Sequence, residues 1–194
     1  MKKIIVSVIV VFMGLFFGMT CSYAYEVGFN GGFSPSPAYV SGTYLLSDDS
    51  KAAIHNACVQ WNGAGGGDIV YRSTTDHSNT VYPCSNNKNE ITKLTEGPNL
   101  PLMGAYRTVS TPFPFFYSYI VEYDININMS FQWSNQGESY YYDVGNSMTH
   151  ELGHCMGLAH SSNTDASMYI SSILGETKKR SIENDDKSGV QAIY

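Results

Sequence analysis

No apolar run in this 194-residue sequence reaches the roughly 20 residues that a membrane-spanning helix needs. The longest, Ile4 to Phe17, follows Lys2 and Lys3 and leads to the small-residue pattern Ser22-Tyr23-Ala24. That order is a secretory signal peptide over residues 1–24, with Tyr25 as the expected new amino terminus. An uncleaved anchor fits so short a run poorly, and a lipoprotein site at Cys21 lacks the branched residue expected three positions ahead. Charge is also scarce, at 14% of residues, and 17 acids outnumber 11 lysines and arginines. Removing residues 1–24 takes away two lysines and no acid, so the remainder is more acidic still. An acidic chain whose one basic cluster is Lys178-Lys179-Arg180 is not built for nucleic acid or an anionic membrane, and that triplet reads as solvated surface. There are no internal repeats and no low-complexity segment. Residues 25–194 therefore suit one secreted globular domain, expected to be a monomer.

Cysteine is rare as well. Cys58, Cys84 and Cys155 follow the signal segment. In an oxidising compartment an odd count suggests one disulfide and one buried thiol. Cys155 sits one residue past His154 and so projects about 100° around a helix from it, as a small hydrophobe. Cys58 with Cys84 is the expected pair, and Cys58 with Cys155 is the alternative.

Residues 25–38 hold Gly28, Gly31, Gly32, Pro35 and Pro37 and read as an extended leader. Ser47-Asp48-Asp49-Ser50 offers N-caps for a helix running to about Trp61, with Ala53, Ala57, Cys58 and Trp61 on its apolar stripe. Gly63 to Gly67 ends it. Strand-like runs follow at 68–73, 89–94 and 103–109. A longer one spans 119–128, where Glu122, Asp124, Asn126 and Asn128 alternate with Val121, Tyr123, Ile125 and Ile127. A second helix begins near Val144. Residues 161–182 look irregular, and a last helix begins between Ile182 and Asp185, with Asp185 and Asp186 favourably placed at its positive end. The order predicts a sheet with helices on one face.

Residues 150–160 read His-Glu-Leu-Gly-His-Cys-Met-Gly-Leu-Ala-His. His150 and His154 are four residues apart, which puts both imidazoles on one helix face, able to share one zinc ion. Glu151 beside the first can act as general base, taking a proton from water and later delivering it to a leaving amine. A continuing helix would carry residue 160 off that face. Gly157 can adopt the left-handed conformation that stops a helix and lets the chain return His160 to the metal. Three imidazoles leave a fourth coordination position open, as a catalytic zinc requires. The five fixed residues coincide by chance in roughly one in 10⁵ chains of this composition.

These residues resemble the metzincin metallopeptidases, and within them the matrixins. Ser161 after the third histidine, the Ala166-Ser167-Met168-Tyr169 turn and the stretch from Asp185 to Tyr194 are each similar to matrixin segments. Ala57 to Trp61 resembles the family's first helix more loosely. The resemblance implies an α+β fold with a twisted, mostly parallel five-stranded sheet and three helices, and Met168 as a hydrophobic floor under the zinc. It also implies a long cleft in which an extended protein or peptide substrate lies along an edge strand, here Met103 to Val109. Selectivity would come from a pocket walled by residues 169–174. The chain departs from the family in having no cysteine-switch prodomain and no haemopexin-like domain. His55 and His77 read as surface residues, too few for a second zinc. Asp124, Asn126 and Asn128 could hold Ca²⁺, although strand alternation explains them equally well. The expected function is zinc-dependent endoproteolysis; the rival is a zinc-scaffolded binding or toxin-like protein that does no chemistry.

Overall fold

The computed structural model describes residues 32–110 and 118–194. The expected signal segment, 1–24, lies outside them. Five strands form one sheet in the order β2-β1-β3-β5-β4: β1 is Ala38–Gly42, β2 Val70–Arg72, β3 Asn89–Leu94, β4 Met103–Ser110 and β5 Tyr119–Asn128. All pairs are parallel except β4 with β5, so the antiparallel β4 is an edge. A two-stranded ribbon pairs β6, Trp133–Ser134, with β7, Tyr142–Asp143. The helices are α1, Asp48–Asn62; α2, Val144–Cys155; and α3, Asn184–Ile193. This is the mostly parallel five-stranded sheet with three helices that the resemblance implies.

Ser47 caps α1 by accepting the Ser50 N–H, and Ile54, Ala57, Cys58 and Trp61 form its buried stripe. They join Tyr123, Ile125 and Ile127 of β5 and Met148 and Leu152 of α2 in one core. The opposite face of β5 is polar yet equally buried. Its side chains bond the backbone of the loops crossing it, where an unmet N–H or C=O would be costly. Asp124 accepts the Cys84 and Glu90 N–H groups, and Glu122 accepts that of Asn86. Asn128 accepts from Glu96 and Ser130 and donates to the Gly97 and Pro101 carbonyls. Among the described residues, the His, Cys, Asp and Glu side chains close enough to share a metal ion do not include Asp124.

Three expectations need correction. The described part of the leader is tied into the fold: the Ser34 N–H donates to the Ile120 carbonyl at 2.9 Å, and the Phe33 N–H donates to the Tyr194 hydroxyl at 2.7 Å. Its glycines and prolines hid this, because main-chain pairing leaves no side-chain signature. Cys58, Cys84 and Cys155 are all free thiols, so the Cys58–Cys84 bridge is not formed. Cys58 and Cys155 are buried in the core that α1 and α2 share, whereas the Cys84 N–H bonds Asp124 on the polar side of the sheet. Burial raises the Cys58 thiol to about 12 and pushes Cys155 well up, so both behave as the inert apolar groups expected of Cys155. His77 is not a free surface residue either. Its Nε2 donates to the Ile91 carbonyl and its Nδ1 accepts the Asn79 N–H. His55 is exposed.

Asn128→Ala should lower stability by roughly 2–4 kcal/mol, because two carbonyls and two N–H groups lose their partner. Asn128→Asp, which keeps the acceptor but turns a buried carboxylate toward the Gly97 and Pro101 carbonyls, should lose at least as much. Urea unfolding of the three proteins checks the order.

Candidate active site

Asp143 caps α2 by accepting the Asn146 N–H at 2.8 Å. The helix then ends in a Schellman turn. The Leu158 N–H donates to the Gly153 carbonyl, the Gly157 N–H donates to the His154 carbonyl, and Gly157 has φ of 104°. The reversal brings His160 back beside the two helical histidines. Ring centroids lie 4.8 Å apart for His150 and His154, 5.2 Å for His150 and His160, and 4.8 Å for His154 and His160. One ligand atom from each lies within 4.8 Å of the others.

Both helical imidazoles are oriented by carbonyls. His150 Nδ1 is 2.7 Å from the Ser167 carbonyl and His154 Nδ1 is 2.8 Å from that of Leu158. A carbonyl can only accept, so Nδ1 carries the proton and Nε2 keeps its lone pair facing the shared space. His154 Nε2 and His160 Nε2 are 3.2 Å apart. Two nitrogens on a tetrahedral zinc, each at about 2.0–2.1 Å, would be about 3.3 Å apart. Burial holds His150 well below its usual pKa and lowers His154 to about 4, so both rings are neutral near pH 7, as metal binding needs. The donor set and spacing fit one zinc ion.

Glu151 is buried beside this group. Burial pushes its carboxyl up to about 8, against the opposing influence of Lys179, Arg107 and the Ala105 N–H. Ala105 lies on edge strand β4, and Glu151 on the histidine helix. Between them runs a cleft of about 620 Å³ whose lining includes Gly104, Ala105, Glu151 and the three histidines. Ile170 and Ser172 contribute to its wall, within the segment 169–174 expected to shape a pocket.

Met168 is buried under α2, where Gly153 makes room for it. A Cβ on Gly153 would stand 2.2 Å from Met168 Sδ and 2.8 Å from Trp61 Cζ2. Asp186 fixes the turn around Met168: its carboxylate accepts N–H groups from Ser167, Met168 and Glu183. Asp185 accepts the Ser161 hydroxyl at 2.6 Å, and the Ser161 N–H donates to the Met168 carbonyl. The two acids that suit a helix dipole thus also clamp the segments on either side of the site.

With this geometry in place, the comparisons are specific. The family model described as Matrixin matches residues 115–194. The segment 115–194 is thus similar to the matrixins. It holds α2, the three histidines, the Met168 turn and α3. The chain is 38% identical to human neutrophil collagenase over 71 residues, 37% of this chain and 15% of that protein. It is 42% identical to the metalloendoproteinase 4-MMP of Arabidopsis thaliana over 52 residues, 27% of this chain and 15% of that protein. To human matrilysin it is 41% identical over 46 residues, 24% of this chain and 17% of that protein. The chain therefore matches less than a fifth of the length of these curated relatives. The matched segment supplies every histidine and acid at the site, while β4 and Trp61 come from outside the match.

The basic triplet is the main correction here. Lys178–Arg180 forms a short 3₁₀ turn in which Lys178 and Arg180 are exposed, as expected of solvated surface, but Lys179 is fully buried. Arg180 makes a two-pronged ion pair with Asp143, the residue that caps α2. Charge alone gave no sign of this, since a lysine in a basic run is normally solvated. The one available clue was the acid at position 143, immediately before the second helix.

Gly153→Ala should cost about 1–3 kcal/mol through overpacking against Met168 and Trp61. Gly157→Ala should cost about 1–2 kcal/mol and weaken metal binding, whereas Gly157→Asn should be milder. Thermal melts paired with zinc titrations separate loss of fold from loss of the site.

Proposed function

We propose that the chain is a secreted zinc-dependent endopeptidase of residues 25–194, with His150, His154 and His160 as zinc ligands and Glu151 as general base. The observation that carries this reading is the placement of Glu151. Its carboxyl is buried next to the three imidazoles and lines the same cleft as edge strand β4. A scaffold that only bound zinc would have no use for a buried carboxyl there, since burying one costs energy. A collagenase and a matrilysin among the relatives agree with a peptidase reading.

Zinc, when bound, supplies Lewis-acid polarisation and lowers the pKa of water. The chain's own residues do the rest. Edge strand β4 offers free main-chain groups to an extended peptide, which gives affinity with little dependence on sequence. Glu151, near neutrality in its proton affinity, can take a proton from water and return it to the leaving amine. Ile170 and Ser172 form part of the cleft wall. Secretion rests on the amino-terminal signal pattern; no helix among the described residues is long and apolar enough to cross a membrane. The competing reading, a zinc-scaffolded binder, predicts that Glu151 is dispensable.

Purified protein should bind one zinc ion per chain and cleave casein or gelatin. Glu151→Gln should keep the zinc and lose about 10²–10⁴-fold in kcat/KM. A variant that retained full biological effect without cleavage would favour the binder.

A further inference from the structure

Lys179 stands out among the buried groups. It has no solvent-exposed surface, and no carboxylate of the described residues reaches ion-pair distance of its ammonium. A buried charge without a counterion is expensive and is seldom kept where a methionine would fill the same space. Its Nζ donates to the Tyr169 carbonyl and, at 3.2 Å, to the Ser172 hydroxyl. Both acceptors belong to the segment directly after Met168, and Ser172 lines the cleft. Ser147 of α2, one turn before His150, lines the same cleft.

The negative groups that act on the ammonium through space are Glu176, Glu151 and Asp186. Each has other partners. Glu176 accepts from Asn146 and pairs with Lys178, and Asp186 holds the Met168 turn. An ammonium has three donors, and two are accounted for. The cleft beside the histidines thus has two serines in its lining and a cation bonded to the hydroxyl of one of them. An apolar side chain entering it would leave those groups desolvated and unanswered, whereas a carboxylate or carboxamide would satisfy them.

We propose that Lys179 is a specificity-determining residue that makes this pocket select a substrate side chain ending in a carboxylate or carboxamide, glutamate or glutamine, next to the cleaved bond. The inference rests on the peptidase reading above and deepens it by naming the substrate class.

The test is cleavage-site profiling of the zinc-loaded protein on a proteome-derived peptide library, with Lys179→Met and Lys179→Arg alongside and thermal melts as a check of folding. Wild-type protein should prefer glutamate or glutamine over leucine at one position flanking the cleaved bond by roughly 10- to 100-fold, the range of one hydrogen bond to a charged group. Lys179→Met should reverse the preference toward leucine and methionine, and Lys179→Arg should keep it. Wild-type cleavage with leucine or phenylalanine favoured at both flanking positions overturns the proposal without needing either variant, and leaves the peptidase reading intact. Absence of cleavage across the whole library counts against the peptidase reading instead. In that case calorimetric binding of a glutamate-containing hexapeptide and its leucine counterpart to zinc-loaded Glu151→Gln decides the proposal. Tighter binding of the glutamate peptide supports it, and equal or weaker binding overturns it.

Discussion

The reversal at Gly157 is the constraint on which the rest of the site depends. In a helix continued from His150, residue 160 would sit roughly 15 Å further along the axis and about 80° off the shared face. In the folded chain the His150 and His160 rings are 5.2 Å apart. That difference comes from one residue with φ of 104° and two hydrogen bonds that close the last turn. The same reversal places the Leu158 carbonyl against His154 Nδ1, so the turn that delivers the third imidazole also fixes the tautomer of the second. A single backbone conformation sets both position and protonation.

Short side chains that bond backbone do most of the remaining positioning. Asp186 collects three N–H groups around Met168, and Asp143 both caps α2 and pairs with Arg180. On the far face of the sheet, Glu122, Asp124 and Asn128 treat the crossing loops in the same way. Burial raises Asp186 and lifts Asp124 to about 6, which shows that these carboxyls are stressed by their surroundings. The bonded N–H groups pull in the opposite direction and keep the acceptors worthwhile. Few long-range ion pairs are needed, which suits a chain with so little charge.

What could be read from the sequence followed from local pattern. The site histidines, Glu151 and Gly157 have fixed spacing within one segment, β5 announces itself by alternation, and the bounds read for β3 and β5 agree with the structure. Helix α1 is legible from Ser47 and its apolar spacing, though Ile54 is more central to the stripe than Ala53. The residues that were misread depend on partners far along the chain. Lys179 is buried by the wall after Met168, and Arg180 finds Asp143 from 37 residues away. His77 is enclosed by the carbonyl of Ile91, and Phe33 by the hydroxyl of Tyr194. None of these pairings has a periodicity. The cysteines went astray for a related reason: parity argues for a bridge, but only the three-dimensional arrangement shows that Cys58 faces the helix side and Cys84 bonds across the polar side.

Gly153 shows how the loosely family-like first half of the chain nonetheless serves the site. The absent side chain lets Met168 lie against α2 from one side and Trp61 of α1 from another. Trp61 adds a hydrogen bond from its indole N–H to the Thr149 carbonyl at 2.8 Å, one residue before His150. The histidine helix is therefore held at its start by Asp143, in its middle by Trp61 and Met168, and at its end by Gly157. Each hold comes from a different part of the chain, and none uses an imidazole Nε2 or the Glu151 carboxylate. Support and chemistry are carried by separate groups, so the three imidazoles can converge without having to hold the fold together themselves.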